Sequence, residues 1–175
     1  MGLGAAIAGA CAGRQPARVV APSGPPLPNG LYALLAEAPA DAPPAPGADG
    51  PTGRTFFHDR RRIDPTTDAA PTYVTIDAAD YVPLILERRP EPVTQPDGRI
   101  RLQVALARQE IEPLAAFTRK HVGGRAAVVV DGQIITVHKV RSVIDDGHLQ
   151  ISRCTDRACE HIYAKLVADQ PPPAK

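Results

Sequence analysis

Residues 100–106 alternate Ile100, Leu102, Val104 and Leu106 with Arg101, Gln103 and Ala105, the period of a strand with one buried and one wet face. The period then lengthens. Ile111, Leu114, Phe117 or Thr118, and Val122 recur at spacings of three and four, which predicts an amphipathic helix over 109–122. Gly123-Gly124 closes it, and Arg119, Lys120 and His121 stand in the last turn, where the helix dipole favours positive charge. Pro113 removes a helical hydrogen bond and places the regular start near Glu112. The run 125–130 is almost wholly apolar, as in a central strand covered on both sides. Asp131-Gly132 follows at once and predicts a hairpin into a second strand over 133–140. A second turn at Asp145-Asp146-Gly147 leads to a strand over 148–152, with Leu149 and Ile151 on one face. Residues 155–167 read as a helix that turns Ala158, Ile162 and Leu166 inward, with Cys159 and Tyr163 beside them. Upstream, 73–76 is rich in β-formers and 77–80 reads as a turn. Residues 82–87 are apolar, but Pro83 restricts them to an edge or a strand start, and the three prolines of 90–98 mark a loop. The expected class is α+β, an antiparallel sheet with two helices packed on one face.

Composition divides the chain. Of its 20 prolines, 12 precede residue 72, among Ala, Gly and Asp with weak apolar periodicity. That predicts a leader-like segment over 1–12, a mostly disordered linker over 13–71, a folded domain over 72–167 and a disordered tail over 168–175. Within the linker, 31–37 has the composition of one or two helical turns, and Thr55-Phe56-Phe57-His58 holds two of the three phenylalanines; both are candidates to dock on the domain. Arg60-Arg61-Arg62 is flanked by Asp59 and Asp64, which lower its local field and favour a solvated segment over a phosphate site. A net charge of +1, from 20 basic and 19 acidic residues, excludes recruitment of nucleic acid or anionic membrane by bulk charge. No run reaches the roughly 18 apolar residues that a membrane-spanning helix needs.

The first twelve residues, MGLGAAIAGACA, form an uncharged small-residue run with no basic residue before Arg14. Ile7-Ala8-Gly9-Ala10-Cys11 resembles the lipobox of bacterial lipoproteins, with Ala8 where Leu is usual, and this makes Cys11 a candidate for acylation. Export without lipid, and an Ala-rich start with an incidental cysteine, are the competing readings.

The segments LARQEIEPLAAFTRKHVGGR and AAVVVDGQIITV together resemble the head of the first periplasmic domain of SecD, the membrane subunit that assists protein export. The matching residues are Thr118, Arg119, Val122, Gly123, Asp131 and Gly132, followed by Gly147 and the Gln150-Ile151-Ser152 run. Ala107-Arg108 replaces the family's Thr-Pro helix start, Arg153-Cys154-Thr155 replaces Gly and Phe after the last strand, and the transmembrane helices are missing. The resemblance implies a fold and a polypeptide-contacting surface, without proton-driven export.

Cys154 and Cys159 flank the expected start of the last helix. With Thr155 as cap, they occupy the two positions whose side chains meet in a hydrophobic staple. A disulfide, two reduced packing thiols, and a metal site completed by His161 or His148 are the alternatives, although the spacing is not regular for zinc and no Cys-x-x-Cys redox pair exists. Asp145-Asp146 reads as a turn former and His138 as a rim residue. Gly-x-Ser-x-Gly, His-Glu-x-x-His and a phosphate loop are all missing, and only Ser23, Ser142 and Ser152 are serines. The expectation is therefore a non-enzymatic, cofactor-free module in the bacterial envelope, on the periplasmic side and held to the membrane only by lipid on Cys11. Its partner is exported or unfolded polypeptide or an envelope assembly, met at the wet sheet face or at a sheet edge, with 82–87 and 148–152 the candidate edges. A structural spacer lipoprotein, and a small redox or metal protein using Cys154 and Cys159, are the alternatives.

Overall fold

In the computed structural model, residues 25–42, 44, 50–63, 67–96, 98, 100–154 and 156–168 are described, with the backbone alone over 152–161. The elements in order are β1 (Gly30–Pro39), β2 (Gly53–His58), β3 (Thr72–Pro83), β4 (Glu91–Thr94), β5 (Ile100–Ala105), α1 (Arg108–Lys120), β6 (Arg125–Val130), β7 (Gln133–Lys139), β8 (His148–Cys154) and α2 (Asp156–Ala168). The class is α+β with antiparallel strands, as expected. The strands divide into a five-stranded sheet of order β2-β3-β1-β6-β7 and a three-stranded sheet of order β4-β5-β8.

The apolar run at 125–130 forms the predicted two-sided strand. Ala126, Val128 and Val130 enter one core cluster, while Ala127 and Val129 enter another on the opposite face of the same sheet. The first cluster gathers β5, β6 and both helices through Leu102, Val104, Leu114, Phe117, Ile162 and Leu166. The second holds Tyr32, Phe56, Val74 and Ile76. The sheet curls around this second cluster far enough that its two outer strands, β2 and β7, touch.

The linker expected over 13–71 is corrected here. Residues 31–37, read above as helical turns, belong to β1, which lies between β3 and β6 in the middle of the larger sheet. The reason is two-sided burial: Leu31 and Ala33 face the first cluster and Tyr32 the second, so the segment needs partners on both faces, which a single helical turn on a surface lacks. Thr55-Phe56-Phe57-His58 is β2, paired with β3, and Phe56 is buried. The domain therefore starts well before residue 72.

Residues 72–83 are one strand rather than two. Between the pairs Tyr32↔Tyr81 and Leu34↔Ile76 the partner strand carries three more residues than β1, so 77–80 is a bulge and not a turn. Pro83 pairs with Gly30 at the end of β3, and 84–87 lies outside any named strand, with Leu86 bridged to Leu106 and the Glu87 N–H on the Ala105 carbonyl, so 82–87 is not the edge strand expected. The loop expected over 90–98 contains β4, one of the two outer strands of the smaller sheet. Helix α1 starts at Arg108 rather than near Glu112. Pro113 and Gln109, whose carbonyl loses its helical donor, are both exposed, so water can satisfy that carbonyl. Val122 lies past the helix end and is half-exposed, so it does not join the inward face. The Asp131-Gly132 hairpin is as predicted, with φ of 53° and 69°, and the Asp131 N–H donates to Asn29 Oδ1 at 2.7 Å.

His58, at the end of β2, is buried at 5% exposure and touches the Ile134 backbone of β7. Burial first, then the Arg60 charge, holds its imidazole below the ordinary value despite opposing pulls from Glu37 and Asp59. Above the ordinary imidazole value neither folded nor unfolded His58 carries the proton, and stability is full. As pH falls from there toward the folded value, the unfolded chain takes up the proton first and stability drops, by at most about 1.4 kcal/mol per pH unit. Thermal melts between pH 7.5 and 5 are expected to show this slope in the native chain and a flatter one in His58→Gln; identical slopes would refute the assignment.

Candidate functional site

Two outer strands from different sheets, β7 and β8, line one groove of about 900 Å³. Leu31, Leu84, Val128 and Ile151 form its floor, all of them core residues. Leu149 and Ile144, partly buried, add apolar surface nearer the opening. Thr136, His138 and Lys139 stand on the β7 side, with Thr136 Oγ1 and His138 Nε2 3.2 Å apart. On the β8 side are His148 and Gln150.

The connection between the two strands is fixed by α1, through residues the sequence motifs mark. The Thr118 hydroxyl donates to the Leu114 carbonyl at 2.8 Å and accepts from the Ile144 N–H at 3.0 Å. The Gly123 N–H donates to the Val140 carbonyl at 2.9 Å, and the Val140 N–H returns to the Gly124 carbonyl at 3.0 Å. At the far end, Asp146 Oδ1 accepts from the His148 N–H at 2.9 Å, and the Gly147 carbonyl accepts from Leu106 at 2.9 Å. Asp145-Asp146-Gly147 is thus the predicted turn. The motif that ends α1 works as a clamp, holding the stretch between β7 and β8 so that both outer strands border the same space.

Charge around the groove is one-sided. Arg60, Arg101, Arg125, Lys139 and Arg141 line it, and no Asp or Glu does among the described residues. Arg125 is paired with Glu37. Of the arginine triplet, Arg60 lines the groove, while Asp59 accepts hydrogen bonds from Arg61, through Nε at 2.9 Å.

A separate polar cluster sits at the β3 bulge. Asp80 Oδ2 accepts from Lys120 Nζ and meets His121 Nε2, both at 2.8 Å. Burial pushes the Asp80 carboxyl up, but these two hydrogen bonds outweigh it and hold the group below the ordinary carboxylate range. Both partners belong to the C-terminal end of α1, so the carboxylate fastens the helix to the bulge.

Of the residues singled out in the sequence, Cys11 lies outside the described residues. Cys154 closes β8 opposite Ile100, and Cys159 lies in α2; their side chains, and that of His161, are outside the description, so the bridge, thiol and metal readings stand as they were. Among the described residues no group of three or more His, Cys, Asp and Glu gathers around one point. The edge over 148–152 is present as β8, whereas the edge on β7 was missed. Its signal was the placement of Arg125, Lys139 and Arg141 at the ends of a hairpin.

Fold and groove together define an α+β module in which the outer strands β7 and β8 of two sheets border a basic cleft; among the described residues no helix is long and apolar enough to cross a membrane. No family model and no curated protein matches the chain. Two solved structures are similar to it in part. One is a membrane component, SecDF, that enhances protein export, at a TM-score of 0.43 and 22% identity over 53% of this chain and 43% of that one. The other is SecDF in a super-membrane-facing form, at a TM-score of 0.44 and 17% identity over 79% of this chain and 18% of that one.

Proposed function

We propose that the chain is a non-enzymatic module that binds extended polypeptide at the groove between β7 and β8. One observation carries the reading: two outer strands of separate sheets border a single apolar-floored space. An outer strand offers a row of backbone donors and acceptors, on β7 over the groove-lining residues 136–139 beyond the Ile134 that His58 meets, and an extended segment satisfies them by pairing as an added strand. Both strands are seven residues long, so such a segment spans about 20 Å at roughly 3.3 Å per residue. The envelope placement in this proposal rests on the small-residue run ending at Cys11 and on the SecD-like motifs around α1 and the hairpin. Acylation of Cys11 belongs to it and is read by mass spectrometry of the membrane fraction.

The test uses a reduced, carbamidomethylated protein as a permanently unfolded probe. Saturable binding to the full chain is expected, with amide exchange slowed over 133–139 and 148–151. Protection confined to other segments, or no saturation, overturns the reading.

A further inference from the structure

The segment that occupies this groove is, we propose, an acidic one, with carboxylates at alternate positions along an extended strand; this rests on the polypeptide-binding function above. Charge is segregated in this fold. The whole chain balances 20 basic against 19 acidic residues, yet the groove is lined by five cationic side chains and, among the described residues, by no acid. Such a surface is not what a near-neutral chain gives by default.

The second observation is a like-charge contact within the sheet. Arg125 on β6 stands directly opposite Lys139 on β7. Like charges in facing positions of an antiparallel pair destabilise it. Glu37 answers Arg125 but not Lys139, and Lys139, Arg101, Arg141 and Arg60 have no ion-pair partner among the described residues. An incoming carboxylate supplies the partner that these four lack among the described residues.

The cations come from separate elements: Arg101 from β5, Lys139 from β7, Arg141 from the residues after it, and Arg60 from the turn after β2. A ligand that meets all of them must extend along the groove, as a strand does. Side chains of a strand alternate between two faces, so a segment of alternating acidic and apolar residues sets one face against Leu149 and Ile144 and the other against the cations.

Three labelled nine-residue peptides sharing the same apolar positions, with Glu, Gln or Lys between them, are titrated by anisotropy into the full chain at low and high salt. Exposed ion pairs are individually weak, so each contact changes affinity roughly twofold to fivefold, and together they favour the Glu peptide about tenfold over the Gln peptide at low salt. Raising the salt is expected to shrink that preference. Arg101→Gln, Lys139→Gln and Arg141→Gln, each checked for an unchanged melt, lower affinity for the Glu peptide and leave the Gln peptide unaffected. Equal binding of Glu and Gln peptides overturns the acidic assignment and leaves polypeptide binding standing. Failure of all three peptides, together with failure of the unfolded probe, removes both. Displacement of the Glu peptide by equimolar inorganic phosphate makes the groove a small-anion site and overturns the proposal.

Discussion

A chain shortened to residues 72–175, the domain that composition alone would delimit, is expected to show no cooperative melting transition. The truncation removes β1, on which β3 and β6 both pair, and β2, which covers the outer edge of β3. It also takes Leu31 and Ala33 from one core cluster and Tyr32 and Phe56 from the other. A point substitution tests the same claim more gently. Tyr32 is wholly buried, stacks on Tyr81 with ring centroids 4.8 Å apart, and donates its hydroxyl to the Pro28 carbonyl at 2.9 Å. Tyr32→Ala is expected to cost about 3–5 kcal/mol in denaturant unfolding, as for other large aromatic truncations. Tyr32→Phe loses the hydrogen bond and keeps the packing, at about 1 kcal/mol. A folded 72–175 fragment, or a Tyr32→Ala chain as stable as the parent, would show that β1 is dispensable.

Gly147→Ala is expected to be the most damaging single methyl addition near the groove. Gly147 has φ of 73°, a conformation that costs a residue with a Cβ about 1–2 kcal/mol. A Cβ there would also stand 2.8 Å from Ile111 Cγ1, so the Ile111 side chain, α1 or the turn must shift. Overpacking of this kind adds about 1–3 kcal/mol, for a combined loss near 2–5 kcal/mol in chemical denaturation. Because the turn starts β8, binding of the unfolded probe should weaken in the same variant. Gly147→Ala with Ile111→Ala relieves the clash but not the backbone strain, and is expected to recover binding relative to Gly147→Ala alone. Equal melts for Gly147→Ala and the parent would place the turn elsewhere.

The parts of this fold that were legible in the sequence are those whose signals are local. The 100–106 alternation, the Asp131-Gly132 turn and the inward Ile162 and Leu166 each rest on a period or a turn chemistry contained in a few residues. What sequence did not show depends on distant partners. Residues 31–37 are too short and too rich in Leu and Ala to distinguish strand from helix; their state is decided by β3 and β6 on either side. Pro92 within β4 is tolerated because that strand is outermost, a fact of sheet order and not of composition. The groove was half legible: β8 appeared as an edge, but β7 became one only when the sheet order placed it last. Its cations, scattered over three strands and two connecting segments, have no spacing that a linear reading recognises.

The position of β1 also sets a schedule. Leu31 pairs with Val128, about a hundred positions further along, and at synthesis rates of roughly 5–20 residues per second one side of this apolar strand waits on the order of 5–20 s for its neighbour. Closing so distant a contact is slow in itself. A nascent form of this protein therefore carries an unshielded, aggregation-prone ribbon through most of its birth, and its yield should depend more on holding chaperones than its final stability would suggest.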